Sequence, residues 1–395
     1  MSRPPLTGLR VLDVSHNLAG PLTAMHLGDL GAEVVKVEGP AGDDWRDHER
    51  IPGHPGRSRH HLQLNRNKRA VCLDLKQPQA QAVMRDLIAR SDVLVTNMRP
   101  GVPERLGFGW EDARGVNPRL VYCAISAFGA EGPLGGRPGY DLEVQAMTGL
   151  MDRGPEGSDP VASTVPITDT ALPLLACTGI LAALIERDRT GHGQLVDATL
   201  LGTALALNAH SLVRVESMPT HGVRQFSRAF FRPYRTADGW LAVGAYAERR
   251  ARRFCEAIGL PGLLDAPPWE DRASRVKREP ELIALIAPRM RERTSADWER
   301  LLTDAGVPAA PVRERDALFD DPQLRETGLL AEVEDPELGS LTMTAPVARL
   351  SDTPGAIRFP GRRLGQDTRA VLSELGRTDE EIDRLVHAGA AVCDG

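Results

Sequence analysis

Apolar residues in the first third of the chain gather into short runs separated by stretches of helical periodicity. Residues 10–15 (RVLDVS), 33–38 (EVVKVE), 71–75 (VCLDL), 92–97 (DVLVTN) and 119–126 (RLVYCAIS) are compact apolar runs bounded by turn formers, which predicts buried strands. Helical patterns lie between them at 21–30, at 77–89 and past Pro103, and Gly31 is placed to stop the first. Strands alternating with helices in this way predict a parallel sheet covered on both faces, a large doubly wound, Rossmann-like α/β domain.

The pattern then changes. Residues 128–141 (FGAEGPLGGRPGYD) are too rich in glycine for an element interior and predict a loop. Helical runs follow at 170–188 and 200–215, split by TGHGQ and a short LVDAT run. The first of these helices is apolar nearly all round, which predicts burial on most faces. From Gly222 to about Pro311 a strand-like GWLAVGAY is followed by charged amphipathic helices, the pattern of a smaller α+β domain. A further strand-like stretch (LLAEVEDPELGSLTMTAPVARL) and a terminal helix at 368–375 come after it.

Composition narrows the function classes. At 395 residues, 42% hydrophobic and 26% charged, the chain is long enough for one large domain or two ordinary ones, and neither disordered nor fibrous. A net charge of −6 argues against a general nucleic-acid or membrane-surface binder, so neither partner is expected. The longest apolar run, 171–185, is interrupted by Pro173 and is too short to span a bilayer. MSRPPLTG has no apolar stretch suited to a signal peptide, and a cytoplasmic location is expected. Cys72, Cys123, Cys177, Cys255 and Cys393 form no CxxC pair and read as small buried hydrophobes. The histidines lack HxxxH or HExxH spacing, so no metal site is expected. GxGxxG, GxxxxGK[ST] and GxSxG are all absent, which removes the nicotinamide, phosphate-loop and serine-hydrolase signatures.

The residue best suited to chemistry is Asp169, in VPITDTALPLLACTGILAALIERDRTGHGQ. An aspartate directly before an apolar helix is most often an N-cap. The same position suits a nucleophilic carboxylate, kept ionised by free amides and the helix dipole. Spacing leaves both roles open. Arg66, Lys68 and Arg69 form a basic cluster that either adds to an anion site or, the favoured reading, is a solvated face.

Longer blocks decide further. NLAGPLTAMHLGDLGAEVVKVEGPAGDDWR, NRNKRAVCLDLK, NMRPGVPERLGF, RPGYDLEVQAMTGLM, TDTALPLLACTGILAALIERDRTGHGQLVDATLL, DDPQLRETGLL and LGQDTRAVLSELG, in this order from about Leu9 to about Leu375, resemble the family III CoA-transferases. That group includes formyl-CoA transferase, the carnitine CoA-transferases and α-methylacyl-CoA racemase. The resemblance implies a CoA-transferase that moves CoA from an acyl-CoA donor to a carboxylic acid acceptor. Asp169 matches the aspartate that forms an acyl anhydride and then an aspartyl-CoA thioester. The residues matching CoA contacts are Leu18, Ala19, the stretch from Leu73 to Lys76, Asn97, Met98, Arg105 and Arg137, with Lys76, Arg105 and Arg137 as chemically sensible phosphate partners. Family members often carry arginine after the strand matching EVVKVE, whereas this chain has Gly39, which implies the loss of one contact.

Tyr140, in Gly139-Tyr140-Asp141, matches the transferases and joins the residues expected to contact CoA. Racemases of the family have histidine there, and a neutral tyrosine is poorly suited to moving an α-proton. The rival readings are an α-methylacyl-CoA racemase or epimerase and a non-catalytic CoA-binding protein. Arg224, Arg228, Arg232 and Arg235 lie among Phe226, Phe230 and Phe231, a pattern suited either to a second substrate carboxylate or to plain solvation. The glycine-rich loop of oxalate-using members is not apparent in this region, which argues against formyl or oxalate specificity. The resemblance also implies an interlocked homodimer with no permanently bound cofactor, coenzyme A entering as substrate. With the change of pattern at Gly222, the expected organisation is a large domain of residues 1–215 and 325–395, with a small domain of residues 222–324 inserted.

Overall fold

The computed structural model describes residues 3–151, 159–217 and 227–394. The chain divides into two compact units, one of Met1–Val213 with Gln323–Gly395 and the other of Arg214–Pro322.

The first unit is a mixed α/β layer structure. Its strands are β1 (Arg10–Asp13), β2 (Glu33–Glu38), β3 (Lys68–Leu73), β4 (Val93–Thr96), β5 (Val121–Ser126) and β6 (Leu195–Thr199). The helices threaded among them are α1 (Ala19–Asp29), α2 (Arg59–Leu64), α3 (Pro78–Ala89), α4 (Val102–Arg105), α5 (Trp110–Val116), α6 (Asp141–Thr148), α7 (Ile167–Thr190) and α8 (Leu200–Leu207). The strands lie in the order 3-2-1-4-5-6, all parallel. The chain therefore leaves β1 in one direction and β4 in the other, which opens a crevice beyond their carboxyl ends.

The second unit carries a three-stranded antiparallel sheet of β7 (Phe231–Arg235), β8 (Trp240–Gly244) and β9 (Ala309–Pro311). Helices α9 (Glu248–Ala257), α10 (Arg272–Lys277), α11 (Glu279–Met290) and α12 (Ser295–Asp304) accompany it, and Phe254, Leu282, Ile286 and Trp298 fill its core. After the short helix α13 (Pro322–Glu326), the chain returns to the first unit as the hairpin β10 (Leu330–Asp335) and β11 (Gly339–Thr344). Helices α14 (Thr368–Glu374) and α15 (Asp379–His387) follow, then β12 (Ala391–Val392), which pairs antiparallel with β3 and makes the seven-stranded sheet mixed. The sequence pattern did not reveal α15 and β12, because a two-residue strand carries no periodicity.

Two apolar clusters cover the sheet. Leu27, Leu172, Ala176 and Ile180 from α1 and α7 pack on Val11, Val93 and Val121. Val83, Leu87, Ile88, Leu372 and Ile382 from α3, α14 and α15 pack on Leu12, Val71 and Leu94. Each large side chain fully withdrawn from water contributes about 1.5–3 kcal/mol, so these two layers supply the main drive to fold the unit.

Three expectations need correction. Helix α8 ends at Leu207 rather than near 215. Helix α7 is not buried all round: Leu174 and Leu175 are exposed and Ile185 is 67% exposed, because only one stripe meets the sheet. At 24 residues α7 also passes, by length and composition alone, as long enough to cross a membrane, as an apolar core helix does. The basic cluster is not a solvated face either. Arg66 and Lys68 are buried, Arg66 forked onto Asp29 at 2.6 and 3.0 Å and Lys68 bound to Asp13 at 2.8 Å, while the half-buried Arg69 pairs with Glu374. A charge withdrawn from water must be paired, and strand β3 begins among carboxylates that do so.

Candidate active site

A cavity of about 400 Å³ opens at the carboxyl ends of β1 and β4, where the strand order reverses. His16, Asn17, Leu18 and Ala19 line it from the loop after β1, and Asn97, Arg99 and Pro100 from the loop after β4. Ile125, Ser126, Arg137, Gly139 and Tyr140 come from the end of β5 and the loop beyond it, and Asp169 from the first turn of α7.

Buried charge shapes the β1 edge. Asp13 accepts from the backbone N–H of Ser15 at 3.0 Å, and Lys36 donates to the Ser15 carbonyl at 2.7 Å. Burial acts to raise Asp13, but Lys36 and Lys68 outweigh it and hold the carboxyl below its usual range. Burial pulls Lys68 down to about 8 against the attraction of Asp13. His16 and Asn97 then lock the two loops together. The His16 N–H donates to Asn97 Oδ1 at 2.9 Å, and Asn97 Nδ2 donates to the His16 carbonyl at 2.6 Å. Asn17 takes φ 63°, a left-handed conformation that asparagine tolerates better than most residues.

Asp169 is not the N-cap. Helix α7 starts at Ile167, its cap position is Pro166, and Asp169 is the third helical residue with no capping bond from its side chain. The cap comes from another helix. Buried Asp141, the first residue of α6, accepts from the Thr168 N–H at 2.7 Å and the Thr168 hydroxyl at 2.5 Å, and Gln145 Nε2 donates to it as well. Pro173 supplies no N–H to the Asp169 carbonyl four residues earlier, so the first turn of α7 lacks one ladder bond, while the Thr170 N–H still donates to the Pro166 carbonyl at 3.0 Å. Burial, and after it the Asp141 carboxylate, push Asp169 up to about 6, which outweighs the helix dipole.

Of the residues matched to CoA contacts, Leu18, Ala19, Asn97, Arg137 and Tyr140 share this lining with Asp169. Leu73, Lys76, Met98 and Arg105 do not line it: Leu73 is in the core, Met98 is half-buried beside it, and Lys76 and Arg105 are exposed. Tyr140 is 68% exposed, so it is not a packed aromatic. The loop before it needs its glycines: Gly129, Gly132 and Gly136 have positive φ, and a Cβ on Gly139 would come within 2.6 Å of the Phe128 ring. Arg137 rests over that ring at 5.8 Å.

Sequence reasoning missed Arg99 and His16, although both follow strand ends at the switch point. Burial lowers the His16 imidazole below its usual value despite nearby Asp43, which leaves it neutral at pH 7. In the second unit Arg232 and Arg235 lie over Tyr234 and Trp240, and the Arg228 N–H donates to Glu279. Arg224 and Phe226 lie outside the described residues.

Comparison with known proteins agrees with this layout. The model of CoA-transferase family III matches residues 6–368. Human succinyl-CoA:glutarate CoA-transferase is 36% identical over 393 residues, covering 98% of this chain and 89% of the relative. The succinyl-CoA–D-citramalate CoA-transferase of Chloroflexus aurantiacus is 33% identical, covering 96% of each chain. Among solved structures, a CAIB/BAIF family protein from Brucella suis superposes with a TM-score of 0.84 at 28% identity, over 95% of this chain and all of that one. With a match of this extent and a cavity at the switch point of a 3-2-1-4-5-6 sheet, the chain belongs to CoA-transferase family III and is an enzyme.

Proposed function

We propose that this enzyme passes CoA from a dicarboxylic acyl-CoA to a dicarboxylate acceptor, with Asp169 as the nucleophile. The observation that carries the reading is a carboxylate raised to about 6 and facing a cavity at the sheet's switch point. Such a group is still ionised at neutral pH and attacks more readily than a carboxylate near 4.

An Asp169 oxygen attacks the donor thioester carbonyl. The C–S bond breaks, leaving CoA thiolate and an aspartyl–acyl anhydride. The thiolate attacks the aspartyl carbonyl of the anhydride, which frees the first carboxylate and leaves an aspartyl-CoA thioester. The acceptor carboxylate attacks that thioester and displaces the thiolate, forming a second anhydride. The thiolate takes the new acyl group and restores the Asp169 carboxylate. Each step exchanges one acyl C–O or C–S bond for another, with no net proton or electron transfer. Free N–H groups in the first turn of α7 and the backbone at Gly139 are assigned to the tetrahedral oxyanions.

Both relatives named above act with succinyl-CoA and a dicarboxylic acid. Arg99 and Arg137 place two guanidinium groups in the lining, matched in charge and fork geometry to a second carboxylate. The remaining CoA contacts implied by the resemblance, Leu73, Lys76, Met98 and Arg105, belong to this reading, as does an interlocked homodimer.

The test is a matrix of acyl-CoA donors against carboxylic acids, read by mass spectrometry, with hydroxylamine trapping of the enzyme during turnover. CoA exchange favouring dicarboxylates, with modification at Asp169, is expected. Exchange that never labels Asp169 rules out this route. Loss of an α-deuteron without CoA exchange assigns the protein to the isomerases instead.

A further inference from the structure

The loop that carries Trp45 into the cavity wall holds a second group of side chains with its own chemistry. Residues 49–59 leave and return as a closed excursion. The Arg59 N–H donates to the Glu49 carbonyl at 3.4 Å, the Ile51 N–H donates to the Arg57 carbonyl at 2.9 Å, and Arg50 and Ser58 form an antiparallel bridge. Ser58 fixes the base. Its hydroxyl donates to the Trp45 carbonyl at 2.5 Å while its oxygen accepts from the His61 N–H at 3.0 Å, capping α2. His60 is thereby brought beside His48 and Glu49, which are twelve and eleven residues earlier in the chain, a spacing that matches no familiar ligand motif.

The distances are those of a ligand set. His48 Nδ1 and His60 Nδ1 are 3.3 Å apart, and Glu49 Oε2 is 3.9 Å from His60 Nδ1. Two imidazole nitrogens on one tetrahedral ion, each about 2.0–2.1 Å from it, are separated by about 3.3 Å. All three ligand atoms lie within 4.8 Å of one another. Trp45 holds both rings, stacked on His48 at 5.2 Å and edge-on to His60 at 4.7 Å. Glu49 takes φ 53°, an uncommon conformation for glutamate.

We propose that His48, Glu49 and His60 bind one divalent transition-metal ion of the zinc class, with water completing the tetrahedron. Without an ion, two neutral rings at this distance share one Nδ1 proton. Binding moves that proton to the Nε2 of its own ring, so both Nδ1 lone pairs face the metal. The ion clips the loop at Trp45 to the start of α2 and so stiffens one wall of the cavity. The assignment stands independently of the role of Asp169.

The test is calorimetric titration of Zn²⁺ into the full-length protein at pH 7.5 in a non-chelating buffer, with Mg²⁺ as the hard-cation control. One site is expected, weakened roughly 100-fold by His48→Ala or His60→Ala and roughly 10-fold by Glu49→Gln. Zn²⁺ should raise the melting temperature of the wild type but not of the His48→Ala variant, a readout that needs no turnover. No binding up to about 1 mM Zn²⁺, or binding left unchanged in both histidine variants, overturns the proposal.

Discussion

Asp169 combines a chemical gain with a cost in stability, and the two can be separated. Its carboxyl is pushed from an ordinary value near 3.8 up to about 6. The folded state therefore holds the Asp169 proton more tightly than the unfolded chain does. The associated stability is fully present below about pH 4 and is lost as pH rises through about 6. At pH 8 the ionised side chain costs up to about 3 kcal/mol, from roughly two pKa units at 1.36 kcal/mol each. Asp169→Asn, neutral and of the same size, is expected to raise unfolding free energy by about 1–3 kcal/mol at pH 8 and to leave it nearly unchanged at pH 4. Urea titrations at the two pH values check this, and an Asn variant less stable at both would show that the carboxylate makes compensating bonds. The same variant should lose at least roughly a thousandfold in CoA exchange. The wild-type kcat/KM should rise with pH through an apparent pKa near 6, as the nucleophile ionises.

At the scale of elements, α6 caps α7. Asp141 takes the Thr168 N–H that Pro166 has no side chain to receive, and its charge is the second cause of the raised Asp169. Asp141→Asn retains one acceptor oxygen but loses the charge. It should cost about 1–2 kcal/mol of stability through the weakened cap. It should also move the acid limb of kcat/KM below that of the wild type, since Asp169 loses its like-charged neighbour. A purely structural role for Asp141 would lower stability and leave the limb in place, so the pH profile is the deciding measurement. Contacts of this kind explain what the sequence hid. The strands at 33–38 and 121–126 were legible because buried parallel strands are continuous apolar runs, and α7 because its length and apolarity stand out. The doubly wound class followed from the alternation of strands and helices, and the resemblance selected Asp169, but the strand order that creates the switch point was not legible. Pairings across the fold were not legible. Lys68 reads as a surface charge until Asp13, fifty-five residues away, is seen beside it. His48 and His60 read as scattered until the excursion between them is closed.

At the scale of the whole molecule, the uncovered stripe of α7 needs an explanation. Leu174, Leu175 and Ile185 on α7 and Leu205 and Leu207 on α8 are exposed large apolar side chains of the first unit. Single exposed leucines are ordinary, but a set of them on helices that touch is the kind of surface suited to a partner chain. The proposed homodimer supplies that cover from a second copy. Light scattering after gel filtration should give twice the chain mass, and Leu175→Glu with Ile185→Glu should abolish the dimer or the soluble protein, because two charges would then be buried without partners. Interlocking adds a sharper consequence. A surface-to-surface dimer dissociates on dilution below its dissociation constant, whereas two threaded chains separate only by unfolding. Subunit exchange between differently tagged preparations should therefore be absent over days under native conditions and appear after denaturation and refolding of the mixture. Rapid native exchange would leave the dimer in place and remove the threading.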